Sequence, residues 1–501
     1  MNKGRKTIHA LVIILTMLAA VRTAAQVRFT ADERFELTGI AAYLAGYPEY
    51  SMCRIPSYQS DIAGTFGTYR DHELVQYLRR LRADRGIAYD AVTTSAQMLK
   101  ISGGCVSLHP DASPEKLCQA DPRWSTEALT EYVGLLDRFY RDTDFQDFYD
   151  AHTGLYGAGA AAVSRYCGID TAWFHSFFGR YPCHPETYLS FVNGPCNYAL
   201  PDRGSMPGFG ILMGMPFDPQ STSQLVLFEK NGWTDFVRVL IHELCHNFTN
   251  PLYTRHSAHF ARATARIFED PEIRKSMMER AYGRPDIMTC EWMNTLFTAM
   301  YLREHGWLYP WMYGYGTTAE SLSFSWYVSC VEAEEKFPWL ISSIEAMDGF
   351  YEERGRFITV DDYMPVLIMH YRQVSRRLDR ERRKLDGLHP EITDVYVDST
   401  SAATIKVTFR FSQSMRTNSY SAEQHPDTTV KLPPDHPRWF DLRVRNPLER
   451  GVDYRDDTMT LSISRNALER GRTYGFLMRG QFYQSLMGFD MKEDYPFIFQ
   501  Y

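Results

Sequence analysis

The sequence predicts an α+β protein, with a mainly helical region carrying a small β-sheet over residues 26–388 and an all-β sandwich over 389–501. Three observations predict it. Apolar residues recur every three or four positions in segments such as HELVQYLRRLRADRG and STEALTEYVGLLDRFYRDTDFQDFYDAH, the period of a helix with one buried face. After DGLHPE the period falls to two: in TIKVTFRF, Ile405, Val407, Phe409 and Phe411 face one way and Lys406, Thr408 and Arg410 the other. A chain of 501 residues is also longer than one hydrophobic core usually serves, so more than one domain is expected.

In chain order, the first element is an export signal. MNKGRKTIHA is basic, Leu11 to Val21 is apolar, and RTAAQ supplies small residues for cleavage after Ala25. The apolar run is too short to span a bilayer, and no cysteine follows it to anchor a lipid. An exported protein, periplasmic or secreted to the cell surface and without stable membrane insertion, is expected. Ser125 and Thr126, with Glu127 beside them, make a helix start. Between Pro195 and Lys230 the texture changes. FGILMGMP and SQLVLFEK, around DPQST, look like two strands or a hairpin. A helix is expected directly after NGW, ending at Asn250-Pro251, and EDPE around Pro271 looks like a polar helix end. A last long helix is expected from Asp362 through YMPVLIMHYRQVSRRLDRERRKL, its charged half a solvated face. In the final region the alternation recurs at Met459, Leu461 and Ile463, at Tyr474, Phe476 and Met478, and at Phe497, Phe499 and Tyr501.

Composition narrows the function classes. At 44% hydrophobic and 23% charged residues the chain is an ordinary globular protein. A net charge of −7 argues against general nucleic-acid binding. Nine cysteines in an exported chain permit disulfides, Cys105 with Cys118 and Cys183 with Cys196 being the near neighbours in loop-like sequence. An odd count leaves at least one thiol over.

The stretch FVRVLIHELCHNFTNP, Phe236 to Pro251, carries the chemistry. His242 and His246 lie one turn apart, about 40° round a helix, so both imidazoles reach one ion. Phe236, Leu240, Leu244 and Phe248 form a separate apolar row. Glu243, beside the first histidine, can take a proton from a water without ligating. Two ligands, a base and a rigid platform are what a zinc hydrolase needs. The pattern HExxH alone arises by chance in roughly a few chains per hundred of this length; the apolar helical setting adds weight. At Arg70-Asp71-His72-Glu73 the same opening lacks the second histidine, and that segment reads as an ordinary amphipathic helix.

Zinc needs a third protein ligand. The pattern HExxHxxGxxH is excluded, because Thr249 and Leu252 stand where it needs glycine and histidine. Burial favours Glu291, set among Cys290, Trp292, Met293, Leu296 and Phe297 and separated from the second histidine by 291 − 246 = 45 residues. That interval leaves room for an intervening helix over about Ala258 to Phe268. Glu269, Glu272, His256 and His259 are the alternatives.

HELCHNFTNPL followed by CEWMNTLFTAMYL resembles a gluzincin-type zinc metallopeptidase, and more narrowly is similar to an uncharacterised family of secreted bacterial proteins. The resemblance implies a zincin-like domain over 26–388, with His242, His246 and Glu291 holding Zn2+ and Glu243 as general base and acid. Cys290 stands where the better-known gluzincins have the Asn of their Asn-Glu motif, and no matching downstream Asp is evident. Tyr253 and His256 are the candidates for stabilising an oxyanion. The C-terminal block resembles a bacterial immunoglobulin-like module, which implies attachment to a cell surface or glycan.

Three functions follow. The first is an exported zinc peptidase acting on a peptide or protein substrate, whose backbone the strand SQLVLFEK would hold by edge pairing, with FGILMGMP as its neighbour. The second is a non-catalytic surface or binding protein with a vestigial or structural metal site. The third is a zinc hydrolase of a non-peptide amide.

Overall fold

Side-chain caps set many helix starts in the first half of the chain. Asp32, Ser113, Ser125 and Asp170 each accept a hydrogen bond from a backbone N–H two or three residues on, which satisfies a donor the helix leaves open. The structure, a computed structural model, describes residues 25–179, 185–201, 209–280, 282–305, 337–416, 419–434, 439–441, 451–485 and 489–501. All of the expected export segment except its last residue, Ala25, lies outside them. No helix among the described residues is long and apolar enough to cross a membrane.

The chain opens with β1 (Ala25–Gln26) and four helices, α1 (Glu33–Leu44), α2 (Pro56–Phe66), α3 (Glu73–Arg85) and α4 (Asp90–Gln97). A hairpin of β2 (Leu99–Ser102) and β3 (Cys105–Leu108) follows, then α5 (Pro114–Ala120), α6 (Thr126–Asp142), α7 (Phe145–Ala151) and α8 (Thr153–Ser164). After β4 (Gly168–Ile169) and α9 (Thr171–Phe178) come β5 (Glu186–Ser190), β6 (Tyr198–Leu200) and β7 (Gly210–Gly214). Then follow α10 (Thr222–Leu227), α11 (Trp233–Thr264), α12 (Pro271–Met278) and α13 (Pro285–His305). The last helices are α14 (Leu340–Ala346), α15 (Asp348–Glu352), α16 (Val360–Arg376) and α17 (Leu378–Asp386). The fold is α+β, as the sequence predicts.

Two compact units result. One comprises residues up to Ser257 with Met293–Tyr301 and Phe350–Pro365; the other comprises Ala258–Trp292, Leu302–Gly349 and Val366–Tyr501. In the first, β7 lies between β5, which it pairs in parallel, and β6, which it pairs antiparallel. All five β7 residues are buried, as a central strand covered on both faces requires. Gly194 and Gly214 let two stretches of backbone cross here. A Cβ on Gly214 would lie 2.0 Å from the Gly194 carbonyl oxygen, and one on Gly194, at φ +58°, would lie 2.0 Å from the Met52 carbonyl oxygen. Only glycine fits such a contact.

The second unit carries the alternating C-terminal strands. An antiparallel sheet runs in the order β12 (Val452–Arg455), β13 (Thr458–Ser464), β9 (Thr404–Phe411), β8 (Ile392–Asp398). Two separate two-stranded sheets accompany it, one of β14 (Thr473–Met478) and β15 (Tyr495–Gln500), the other of β10 (Ser419–Ser421) and β11 (Trp439–Asp441). Val407 stands opposite Leu461 and Phe409 opposite Met459, while Phe476 stands opposite Phe497. Phe409 reaches across to both, at 6.1 and 5.2 Å between ring centres. These residues share one core, each buried aromatic contributing about 1.5–3 kcal/mol of transfer free energy.

Several expectations are corrected. SQLVLFEK is not a strand. Ser221 caps the helix α10, which runs into a π turn over Phe228–Gly232. Short apolar runs fit either state, and the cap decides. Because β7 has neighbours on both sides, it offers no edge beside that segment for a substrate strand. Asn250-Pro251 does not end its helix: α11 continues to Thr264 with Pro251 inside. A proline there loses one backbone hydrogen bond and costs about 3 kcal/mol, offset by burial of Phe248, Leu252 and Phe260 on either side. The intervening helix expected near Ala258 to Phe268 is therefore the end of α11. EDPE starts a helix: Asp270 accepts from the Glu272 and Ile273 N–H groups, with Pro271 at the first position of α12. The last long helix is two, α16 and α17, broken at Arg377. Cys105 and Cys118 form no disulfide. The first is exposed at the β2–β3 turn, while the second sits in α5 with its Sγ 4.0 Å from Thr126 Oγ1. Cys196 is likewise a thiol, and its expected partner Cys183 lies outside the described residues.

Candidate metal centre

Helix α11 is a platform before it is a site. Phe236, Leu240, Leu244 and Phe248 are all buried, as their spacing predicts. Phe236 meets Phe29 at 5.5 Å, and Phe248 meets Phe174 and Phe178 at 5.2 and 4.7 Å. Asn247 Nδ2 donates to the Gly210 carbonyl at 3.1 Å, fixing the helix to the start of β7. The opposite face then carries His242 and His246, which like Glu243 are half-buried.

The two histidines converge. Their Nε2 atoms are 3.3 Å apart and their rings nearly perpendicular, at 86°. Two nitrogens at about 2.0–2.1 Å from one tetrahedral ion lie roughly 3.4 Å from each other, so the spacing fits shared ligation. Glu291 completes the group: the ligand atoms of His242, His246 and Glu291 all lie within 4.8 Å of one another. Two imidazoles and a carboxylate are a donor set that suits zinc and neighbouring divalent metals.

Helix α13 delivers Glu291. Its next turn is fastened to α11 at Asn294, whose Nδ2 donates to the His242 carbonyl at 3.0 Å and whose Oδ1 accepts from Thr249 Oγ1 at 2.5 Å. On the other side of Glu291, Trp292 stacks on Tyr371 at 3.4 Å and donates from Nε1 to Ser343 Oγ at 3.0 Å. Asn250 holds the second histidine, its Oδ1 lying 3.1 Å from His246 Nδ1, which leaves Nε2 directed at the cluster.

The competing ligands are elsewhere. Glu269, Glu272 and His259 are exposed, and Glu272 pairs with Arg382 at 3.4 Å. His256 Nε2 is 3.0 Å from Asp361 Oδ1, which with Oδ2 also engages Arg255. His72 acts as the cap of α3, its Nδ1 accepting from Leu74 N, so that segment is the ordinary amphipathic helix expected.

Reading the sequence misses Asn250, Asn294 and Thr249. The available signal is spacing: Asn250 is four residues after His246, and Asn294 is three after Glu291, a polar residue in an apolar helix. The Cys290 thiol is pushed up by burial first and by the charge of Glu291 second. No family model, curated protein or solved structure matches this chain.

Proposed function

We propose that this chain is an exported zinc-dependent peptidase with a zincin-like domain and a C-terminal immunoglobulin-like module. One observation carries the reading: His242, His246 and Glu291 bring their donor atoms within 4.8 Å, with Glu243 next to the first of them on the same helix. A purely structural zinc site would fill all four positions with protein ligands, whereas the described residues supply three to this group, with a carboxylate beside them. Zinc bound there would supply Lewis acidity towards a carbonyl oxygen and acidify a water.

The chain's own residues do the rest. Glu243 accepts the proton of the attacking water at its carboxylate and returns it to the leaving amine nitrogen. Asn250 fixes the His246 ring through Nδ1, and Asn294 fixes the α11 backbone at His242, so the donors are held in place before substrate arrives. For the module, the support is the antiparallel sheet of β12, β13, β9 and β8 facing β14 and β15 over a single core.

The test is zinc analysis of the purified mature protein, then cleavage of a peptide library with and without chelator, with Glu243→Gln as comparison. About one zinc per chain is expected, with zinc content unchanged in Glu243→Gln and turnover lowered by roughly two to four orders of magnitude. Cleavage at the wild-type rate by a zinc-loaded Glu243→Gln sample would remove Glu243 from the mechanism.

A further inference from the structure

We propose that the free edge of β8 takes up an extended, basic segment of a partner polypeptide as a further strand of the C-terminal sheet. The inference concerns the all-β region and stands apart from the metal centre.

β8 ends the sheet order β12-β13-β9-β8, so only one of its edges is paired. Among the described residues, no hydrogen bond reaches the outer edge of Ile392–Asp398. A strand exposes there a row of N–H and C=O groups that another chain can complete. Natural edges are often blunted by lysine, proline or a bulge. β8 has neither lysine nor proline. Its register shift lies at its start, between Ile392 and Asp394, which leaves residues 394–398 regular and open.

The core face is unfinished at this strand. Val395 stands opposite Phe409 and Val397 opposite Val407, so both valines point to the side of the shared core. Phe409 and Val407 are wholly buried, yet Val397 is 48% exposed. The cover over that face stops short of β8, and a strand beyond it would bury this apolar surface.

Charge selects the occupant. Over residues 390–405 the chain carries Glu391, Asp394 and Asp398 and no Lys, Arg or His. Asp394 and Asp398 stand opposite Arg410 and Lys406 across the paired edge. Arg410 nevertheless turns to Asp457 at 3.8 Å, and Asp398 accepts from Thr400 N and Oγ1 at 2.9 and 2.6 Å. A second copy of β8 is a poor occupant. Paired antiparallel about Tyr396, Asp394 of each copy would face Asp398 of the other, and like charges directly opposite are destabilising. The strand already paired with β8 shows the pattern that fits. In β9, Lys406, Val407, Thr408, Phe409 and Arg410 set bases against the two acids and apolar residues against the two valines. Base, apolar, neutral, apolar, base reads the same from either end, so such a segment suits the outer edge in either direction.

The experiment uses the full-length protein carrying Glu243→Gln, so that no cleavage removes the probe. The probe is a capped, fluorescent peptide with the sequence of Thr404–Phe411. Anisotropy should show saturable binding, about tenfold weaker for the same peptide with Glu at both basic positions. Asp394→Asn combined with Asp398→Asn, both at exposed positions, should remove that difference. N-methylation of the peptide at Ile, Val and Phe, or at Lys, Thr and Arg, deletes the N–H groups of one strand edge or the other, and one of these two peptides should fail to bind. Hydrogen–deuterium exchange should slow over residues 391–399 when the probe binds. Absent binding, equal binding of the basic and acidic peptides, or a difference that survives the double Asn variant overturns the proposal. Full binding by both methylated peptides does so too. Protection confined to α11 also overturns it, because the peptide would then occupy the metal centre as a substrate.

Discussion

Asn294 donates its side-chain amide to the main-chain carbonyl of His242 at 3.0 Å, tying the helix that carries Glu291 to the first histidine of the cluster. Asn294 is fully buried, and Thr249 Oγ1 shares its single proton between Asn294 Oδ1 and the Cys245 carbonyl, at 2.5 and 2.6 Å. Asn294→Ala should therefore lower zinc affinity by about 10–100-fold and destabilise the fold by about 1–3 kcal/mol. Competition with a chromogenic chelator and urea unfolding measure the two effects. Native zinc affinity in this variant would mean that the bond serves the fold only.

Glu291 and Glu272 separate a ligand from a bystander. Both are carboxylates on the approach from α11, but only Glu291 reaches His242 and His246, while Glu272 is 85% exposed at its side chain. Zinc content by atomic emission should fall to near zero in His242→Ala and His246→Ala, fall partly in Glu291→Ala, and stay unchanged in Glu272→Ala. Zinc loss on changing His259 instead of Glu291 would reassign the third ligand.

Glu36 predicts a pH dependence away from the metal. It is fully buried, and burial pushes its carboxyl from 4.5 up to about 7, against hydrogen bonds from Tyr58 and from the Phe191 N–H. The raised folded value means that the folded state holds the proton more tightly than the unfolded chain. Its stabilising contribution is complete below about pH 4.5 and is lost as pH rises towards 7, on the order of 3 kcal/mol. Glu36→Gln keeps an acceptor for Phe191 and a donor towards Tyr58, and it should flatten the stability profile across that window. A profile of unchanged slope would exclude Glu36 as its source.

The C-terminal strands should fold without the rest. Every residue of their core lies between Ile405 and Phe499, so a fragment from His389 to Tyr501 retains the contacts that close it. A β-type far-UV spectrum and a cooperative thermal transition are expected. A disordered spectrum would show that the core needs the helices of its unit.

The parts of this protein readable from sequence are those where one local signal acts alone. The two-residue alternation at Ile405, Val407, Phe409 and Phe411 survives because one face is buried and the other hydrated. The apolar row Phe236, Leu240, Leu244, Phe248 and the adjacent histidines follow from helical periodicity. Where two signals compete, the sequence misleads. Leu225, Val226 and Leu227 have the composition of a strand, but Ser221 supplies a cap and makes them helical. Pro251 signals a helix end, yet packing at Phe248, Leu252 and Phe260 carries α11 past it. The supporting asparagines are invisible for another reason. Asn294 gains its role only once α11 lies against α13, and no periodicity encodes that approach.

The crossing of Gly194 and Gly214 has a consequence for how this protein can change. At both positions the obstacle to a Cβ is main-chain oxygen, not the end of a side chain that could swing aside. No substitution elsewhere can make room by trimming a neighbour. In a saturation library scored for folding, these two columns should be nearly blank, while the side chains around them tolerate exchange. Change in this region would then have to come through the side chains around the crossing, with the backbone outline inherited unaltered.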